Sequence, residues 1–306
     1  MTQDRIVKGV ALLAVTVLVW GATFPIGKDA VTRIDPYWLG ALRYVVVAPL
    51  FAVVLWVVEG RRALTYEGKM GVAVLVGCIG FGGFNLFTFG GMQHTAAAHA
   101  AIIMALQAPL TAIVHWAWRG VRPARFTLVC MTLALLGVFL VITKGDVASA
   151  VAGGTLFGDA LVFLGASSWV AYIMGVVKFS GWSALRYTAL TCIPGAIGLV
   201  AVALGVTALG VVELPTASSI APVGWQLAFL TFLTAFIGVL FWNNGIRLIG
   251  PLNAVLFGNL VPIVTFVIRI AQGHRFTVIE LAGAGLVVGA LAANNLYIRR
   301  AVTRAA

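Results

Sequence analysis

The sequence has few charged residues, and this shortage decides the class of protein. Only 9% of its 306 residues are charged, whereas soluble domains carry about 25%. Hydrophobic residues make up 61%, and uncharged runs long enough to cross a bilayer recur along the whole chain. Such runs lack the polar faces that a soluble domain needs between its elements. The composition therefore excludes a soluble fold and predicts a multi-pass protein embedded in a lipid bilayer.

Paired cysteines and catalytic motifs are also missing. Cys78, Cys130 and Cys192 all lie in apolar runs, without the spacing of a disulfide framework or a zinc site. The Gly165–Ser168 segment lacks the closing glycine of a serine nucleophile motif, and no histidine lies in the last five apolar runs. We therefore predict no metal, no cofactor and no enzymatic activity.

Ten apolar segments, separated by turn residues, are predicted to be membrane-spanning helices, so the predicted fold class is all-α integral membrane. The seventh and eighth are the hardest to separate, and Pro215, Ser218, Ser219 and Pro222 predict the loop between them. The predicted helices cover residues 8–27, 37–58, 70–92, 96–118, 125–143, 156–177, 184–210, 223–246, 251–271 and 277–298.

The positive charges predict the orientation in the membrane. The formal net charge is +11, and fourteen of the twenty Lys and Arg residues fall in segments on the side of the N-terminus. Five fall on the other side, and Arg43 lies within the second helix. Because cytoplasmic loops are enriched in Lys and Arg, both termini are predicted to be cytoplasmic. The basic charge is then a topology signal, and no nucleic-acid partner is predicted.

The chain contains an internal repeat. Ala41–Tyr44 recurs as Ala184–Tyr187 and Arg125–Thr127 as Arg275–Thr277, at offsets of 143 and 150 residues. Three further matches in the same order are Trp20 with Trp169, Phe87 and Gly91 with Phe241 and Gly245, and Pro109 with Pro262. We predict a first five-helix repeat in residues 1–146 and a second in 147–306.

An odd number of helices in each repeat has a topological consequence. The second copy must enter the membrane from the opposite side, so the two repeats are inverted relative to each other. Inverted repeats arranged around a central cavity are the architecture of alternating access, in which a solute site opens to one side and then to the other. The sequence therefore predicts a secondary transporter, with a small molecule as its partner.

Short motifs near the start of each repeat extend this interpretation. Trp20-Gly21 and Leu42-Arg43-Tyr44 in the first copy, with Trp169 and Leu185-Arg186-Tyr187 in the second, resemble the drug/metabolite transporter superfamily in its EamA-type branch. The chain length and the aromatic residues of its spans are most similar to the YddG-type exporters of aromatic amino acids. The resemblance implies export of small amphipathic metabolites across the bacterial inner membrane, with helices five and ten at the periphery.

Polar side chains inside the spans are the first group of candidate site residues, because each is costly in hydrocarbon without a partner or a wet cavity. They are Asn85, His99, Asn243 and Asn253, and an offset of 154 residues places His99 opposite Asn253 in the other repeat. The alternative is hydrogen bonding between helices. Arg43 is a possible contact for a substrate carboxylate. The alternative is that Arg43 and its copy Arg186 extend to the membrane surface or tie loops to helix termini.

Aromatic side chains are the second group, since rings can hold an indole or phenyl group by burial and stacking. The candidates are Trp20, Phe24, Phe89, Trp169, Tyr172 and Trp242. The alternative is ordinary packing, or the aromatic belt at the membrane interface. Pro109 and Pro262 interrupt spans in both repeats and are candidate hinges, with simple kinks as the alternative.

Coupling and assembly remain open at this stage. His99 carries the side chain that titrates nearest physiological pH and could couple to protons. Asp159 and Glu280 are predicted near helix ends, so no buried carboxylate is expected, and a facilitator or exchanger is the alternative. Export of other amino acids or of quaternary drugs, and an uncoupled channel, are the other functions considered. Gly285 and Gly289 could serve a dimer or pack within the monomer, and the predicted state is a monomer or a weak homodimer.

Overall fold

The computed structural model describes residues 3–120, 122–146, 148, 154–249, 254 and 257–305. Within these ranges the secondary structure is helical, with no strand. We number the helices in chain order and treat short turns of other helix types as parts of them. They are α1 (Gln3–Val31), α2 (Pro36–Glu59), α3 (Met70–His94), α4 (Ala97–Trp118), α5 (Arg125–Thr143), α6 (Thr155–Phe179), α7 (Ala184–Ala208), α8 (Ala217–Ile249), α9 (Val261–Ala271) and α10 (Val278–Ala305).

Within the described residues, nine of these helices are long and apolar enough to cross a membrane, and α9 is a shorter apolar helix. The prediction of an all-α integral membrane protein is thus confirmed. Helix boundaries differ in places: α1 and α8 each begin several residues before the predicted start. For α9 the predicted start at residue 251 lies outside the described residues.

Helices α5 and α10 pack mainly on each other, in antiparallel orientation. The start of α5 meets the end of α10, where the rings of Phe126 and Tyr297 are 4.8 Å apart. Between them the backbones approach closely: a Cβ on Gly137 would lie 2.6 Å from the carbonyl oxygen of Gly283. By contrast, a Cβ on Gly285 or Gly289 would meet nothing within 4 Å among the described residues, so this part of the chain does not pack on that small-residue face. Monomer or weak homodimer stays a prediction.

Helices α2 and α7 are also antiparallel. The indole nitrogen of Trp38, near the start of α2, donates to the hydroxyl of Thr207, near the end of α7, at 3.0 Å. At the other end, the hydroxyl of Ser183 donates to Glu59 at 2.5 Å. In the repeat, α2 is equivalent to α7 and α5 to α10. Because the helices of both pairs run in opposite directions, the two halves are inverted.

The two halves interleave through equivalent contacts. Leu13 of α1 fits against Gly245 of α8, and Val162 of α6 fits in the same way against Gly91 of α3. Helix α1 therefore packs on α8 in the same way as α6 packs on α3. These two helix pairs join the two repeats to each other. This arrangement places the first helix of each half beside the third helix of the other half.

Helices α3 and α8 share an irregularity at equivalent positions. Residues Cys78–Gly83 of α3 and Phe229–Gly238 of α8 form π-helical turns. Such turns change the pattern of backbone hydrogen bonds and are frequent at functional sites. The α8 turn offers carbonyl oxygens to side chains of α1 and α2.

We call the end of the bundle with the start of α1 the terminal face, and the other end the opposite face. On the terminal face the α2–α3 loop is held to the start of α7. Glu67 accepts hydrogen bonds from the indole of Trp182 at 2.9 Å and from the guanidinium of Arg186 at 2.8 Å. Arg186 also lies 4.7 Å from the centre of the Trp182 ring. Arg186 also donates to the carbonyl and the hydroxyl of Thr65, and Tyr66 donates to the carbonyl of Leu190, so the exposed Glu67 carboxylate is one of several contacts that hold the loop.

This fastening makes a testable prediction. The hydrogen bonds from Trp182 and Arg186 lower the pKa of Glu67. A lowered folded-state pKa contributes stability above the unfolded-state value, and that contribution is lost as the pH falls through the folded-state value. We expect the melting temperature of the Glu67→Gln variant in detergent to depend less on acidic pH than that of the native protein. Glu213→Gln, in the exposed α7–α8 loop, should retain the native pH dependence, and an equal change in both variants would contradict the prediction.

Candidate functional site

Arg43 lies about 10 Å along α2 from its first residue, at 1.5 Å per residue, and its side chain is buried, with 2% exposure. Its guanidinium donates to the amide oxygen of Asn85 in α3 at 3.2 Å and to the carbonyl oxygen of Leu230 in α8 at 3.0 Å. The ring of Phe89 lies 4.8 Å from the guanidinium carbon, and Nε has no hydrogen-bond partner among the residues that the structure describes. Arg43 therefore does not extend to the surface, unlike Arg186.

The charge of Arg43 is not balanced by a carboxylate in the described part of the chain, where the ion pairs involve other residues. Its neighbours are neutral dipoles and rings. Asn85 is held in place because its amide nitrogen donates to the carbonyl of Phe81 at 2.7 Å, within the π-helical turn of α3. Burying a charge is expensive unless an opposite charge joins it. An anionic group that reached Arg43 would offset this cost.

Aromatic side chains form a continuous cluster next to this site. The ring of Trp169 lies 5.1 Å from Phe84 and 4.9 Å from Tyr172. Tyr172 stacks on Tyr187 at 4.9 Å. Trp169 is partly buried, whereas Tyr172 has only 6% exposure. Of the two predicted site residues in this cluster, Trp169 is therefore more exposed than Tyr172, which packs in the core.

A second pair of rings occurs at α1 and α8. Trp20 and Trp242 lie 5.1 Å apart, and the indole nitrogen of Trp20 donates to the carbonyl of Thr234 at 3.3 Å. Both rings are partly buried, whereas Phe24, one turn after Trp20, has 8% exposure. Thr234 lies one turn after Leu230, the acceptor of Arg43, so the π-helical turn of α8 connects the tryptophan pair to the arginine site.

The predicted hinge prolines follow interruptions in their helices. Helix α4 consists of the segment Ala97–Ala105 and a second segment that begins at Gln107, and Pro109 is buried in the first turn of the second segment. Pro262 likewise lies in the first turn of α9, after a turn at residues 259–260. Proline is tolerated in a first turn because the missing N–H has no intrahelical acceptor there. Asn243 is partly buried in α8, and Asn253 lies outside the described residues.

His99 belongs to a different cluster, at the opposite face. Its Nδ1 lies 3.2 Å from the hydroxyl of Thr95 and 3.3 Å from Oδ1 of Asp159, at the start of α6. The Thr95 hydroxyl donates to the same oxygen of Asp159 at 2.5 Å. These three side chains have exposures of 3–5%. The expectation that the chain has no buried carboxylate is therefore wrong, because the end of α3 and the start of α4 cover Asp159; Glu280, with 3% exposure, is buried too.

The structure thus places Asn85 and Phe89 in direct contact with Arg43. Sequence reasoning missed Asp159, Thr95 and the Leu230 carbonyl. For Asp159 the signal was present, since an ionisable residue next to an apolar run is a functional candidate by default. Backbone acceptors released by a π-helical turn have no such signal. Within the described residues there is no cluster of three or more His, Cys, Asp or Glu side chains that could hold a metal ion.

A cleft of about 360 Å³ lies near the terminal face, lined by Trp118, Met174, Val177 and Lys178. It separates the ends of α4 and α6. None of the predicted site residues lines it, so we do not assign it to the arginine site.

Two inverted and interleaved five-helix halves, with a buried arginine between them, define a multi-pass membrane transporter. Comparison with known proteins gives the family. The model of the EamA-like transporter family matches residues 7–143 and 156–296, one match in each half. The chain belongs to the EamA-like transporter family.

Relatives share most of their length with this chain. It is 33% identical over 305 residues to "Uncharacterized transporter YrdR" of Bacillus subtilis (strain 168), covering 98% of this chain and 95% of the relative. A second protein of that organism, "Uncharacterized transporter YyaM", is 32% identical over 280 residues and is covered to 90%. One crystal structure matches with a TM-score of 0.65 at 17% identity, over 98% of this chain and 99% of its own, and shows the shared fold alone.

Proposed function

We propose that the protein is a secondary transporter that exports small amphipathic carboxylates, with aromatic amino acids as the leading substrate class, by alternating access. The observation that carries this proposal is Arg43. A buried guanidinium with an unpartnered Nε suits a substrate carboxylate, because charge-assisted hydrogen bonds are strongest away from water. Asn85 and the Leu230 carbonyl orient the guanidinium without neutralising it.

The aromatic residues favour a ring-bearing substrate. Trp20 with Trp242, and Trp169 with Phe84, are partly buried ring pairs contributed by both repeats. An added aromatic side chain gains about 0.5–1.5 kcal/mol per ring pair beyond burial. A carboxylate on Arg43 and a ring against Trp169 together describe an aromatic amino acid.

Alternating access and orientation complete the proposal. The interruptions of α4 and α9 before Pro109 and Pro262 provide equivalent hinges in the two halves. The excess of Lys and Arg on the terminal face supports a cytoplasmic location for both termini in the bacterial inner membrane. Export then runs from the terminal face to the opposite face.

The test is transport by the purified protein in liposomes. We expect labelled phenylalanine and tryptophan to enter faster than alanine, with saturation and with acceleration by unlabelled substrate on the other side. The Trp169→Ala variant should lower phenylalanine and tryptophan transport about tenfold. This factor corresponds to about 1.5 kcal/mol, the upper end of the free energy contributed by one pair of aromatic rings. Its matched control is Trp225→Ala, which removes an indole with 60% exposure at the edge of the bundle and should leave transport unchanged.

The other outcomes identify the alternatives. Equal entry of all three labels with and without protein would contradict the substrate assignment. Competition by other amino acids or by quaternary amines, without aromatic preference, would favour a different substrate of the same family. Flux that neither saturates nor responds to countertransport would indicate a channel.

A further inference from the structure

The cleft between the ends of α4 and α6 is separate from the arginine site. Its volume is about 360 Å³, and its walls are Trp118 of α4 and Met174, Val177 and Lys178 of α6. Both spans end here, because Trp118 is the last residue of α4 and Lys178 is next to the last residue of α6. The ends of membrane spans lie where the hydrocarbon meets the head groups. The cleft is therefore at the level of the membrane interface on the terminal face.

The cleft forms because α4 and α6 diverge toward the terminal face. Asp159 of α6 contacts Thr95 and His99 of α4. Helical spacing places Ala166 and Val177 on the same face of α6 as Asp159. Asp159 and Ala166 are buried, whereas Val177 has 51% exposure. Helix α4 thus covers this face of α6 near the opposite face and leaves it uncovered near the terminal face.

The cleft continues into the hydrocarbon along α6. Met174 and Lys178 share a face of the helix with Phe163 and Ser167, by the spacing of an α-helix. Phe163 has 39% exposure, and the hydroxyl of Ser167 donates to the carbonyl of Phe163 at 2.8 Å. Because α6 crosses the membrane, an exposed face of this kind lies against lipid tails, which are as apolar as leucine. An acyl chain can therefore follow α6 from the bilayer into the cleft.

The aqueous end of the cleft is basic. Lys178 is exposed, and none of the ion pairs in the described part of the chain includes it. The segment that follows Trp118, residues 119–125, contains three arginines and no acidic residue. In the neighbouring α2–α3 loop, Glu67 is already paired with Arg186. An anionic head group would meet positive charge here that no carboxylate of the described residues balances.

We propose that this cleft binds an anionic phospholipid from the leaflet on the side of the terminal face, with its phosphate beside Lys178 and one acyl chain along α6. Basic pockets between membrane helices bind the head groups of anionic lipids in this way. A soluble anion would use the charge alone, whereas a lipid also covers the apolar walls. Trp118, with 60% exposure, is an indole at the interface and can contact both the head group and the chain.

The test measures which lipids contact the cleft. A bimane fluorophore is attached to a cysteine at the exposed residue Ala171, about two turns before Lys178, with the three native cysteines replaced by alanine. Lipids with brominated acyl chains quench the fluorophore on contact. In liposomes of phosphatidylglycerol and phosphatidylethanolamine, we expect phosphatidylglycerol to be preferred at least about fivefold. This factor corresponds to about 1 kcal/mol for one lysine near an anionic surface.

Matched variants separate this site from the general charge of the face. Lys178→Gln should lower the preference about fivefold, whereas Lys8→Gln, which removes a lysine from the exposed start of α1, should retain it. Both side chains are exposed, so both variants should melt like the native protein. A fluorophore at Leu135, a residue of α5 with 51% exposure, should show no preference between the two lipids.

Three results would overturn the proposal. The first is equal quenching by the two lipids at residue 171, and the second is a preference that survives Lys178→Gln. The third is loss of the preference when inorganic phosphate or phenylalanine is added at constant ionic strength. In that case the cleft would bind a soluble anion or the transported solute and not a lipid.

Discussion

Replacing Arg43 by glutamine is expected to abolish transport of aromatic amino acids while leaving the protein folded. Removing one partner of a buried, hydrogen-bonded charge pair costs about 2–5 kcal/mol, which lowers apparent affinity by at least about thirtyfold. In the empty protein that partner is absent, so the guanidinium is buried without a counter-charge. The variant should therefore melt at the same temperature as the native protein or at a higher one.

Two comparisons make this prediction specific. Arg43→Lys keeps the charge but loses the planar fork that holds a carboxylate by two hydrogen bonds, so it should restore little of the activity. Arg186→Gln removes the copy of Arg43 in the second repeat, which pairs with Glu67 near the terminal face, and should leave substrate affinity unchanged.

The substrate itself supplies the sharpest control. Tryptamine is tryptophan without its carboxylate, and phenethylamine has the same relation to phenylalanine. If Arg43 binds the carboxylate, competition by these amines should be equal in the native protein and in Arg43→Gln. A variant that melts at a lower temperature and loses amine and amino-acid binding together would show that Arg43 is structural.

The fold was predictable because its determinants are local or periodic. Uncharged runs identified the helices, and the repeated residues identified equivalent positions in the two halves. Gly91 and Gly245 are such a pair, because each makes a close contact with the first helix of the other half. The start of α8 was placed too late for a specific reason. Thr216 and Ser219 form a capping box that begins the helix, whereas the serines and Pro222 had indicated only a loop.

The site was less predictable because it depends on what packs around each residue. Arg43 and Arg186 occupy the same motif, yet one is buried between three helices and the other pairs with Glu67 in a loop. Asp159 is near a helix end in sequence and buried in the fold. The local pattern does not fix these environments, because each depends on contacts with the other half: Leu230 contacts Arg43, and Thr95 and His99 contact Asp159.

The close approach of α3 and α7 leads to the second large effect. A Cβ on Gly77 would lie 2.1 Å from the carbonyl oxygen of Thr191, and a Cβ on Gly195 would lie 2.6 Å from the carbonyl oxygen of Gly77. Small residues allow such backbone contact between membrane helices. A backbone atom cannot move aside as a flexible side chain can, so any larger residue must separate the helices.

We expect Gly77→Ala to destabilise the protein by about 1–3 kcal/mol, the usual cost of overpacking, and Gly77→Val to prevent stable folding. Gly71→Ala in the same helix is the matched control, because its Cβ meets nothing within 4 Å. Alanine has a higher helix propensity than glycine, by about 1 kcal/mol at most. The Gly71→Ala variant should therefore be at least as stable as the native protein. Melting curves in detergent measure both, and equal melting of the two alanine variants would contradict the prediction. The π-helical turn directly follows Gly77, and Asn85 lies just after that turn. Displacement of α3 should therefore also weaken the contact of Asn85 with Arg43, so Gly77→Ala should lose transport in proportion to its loss of stability.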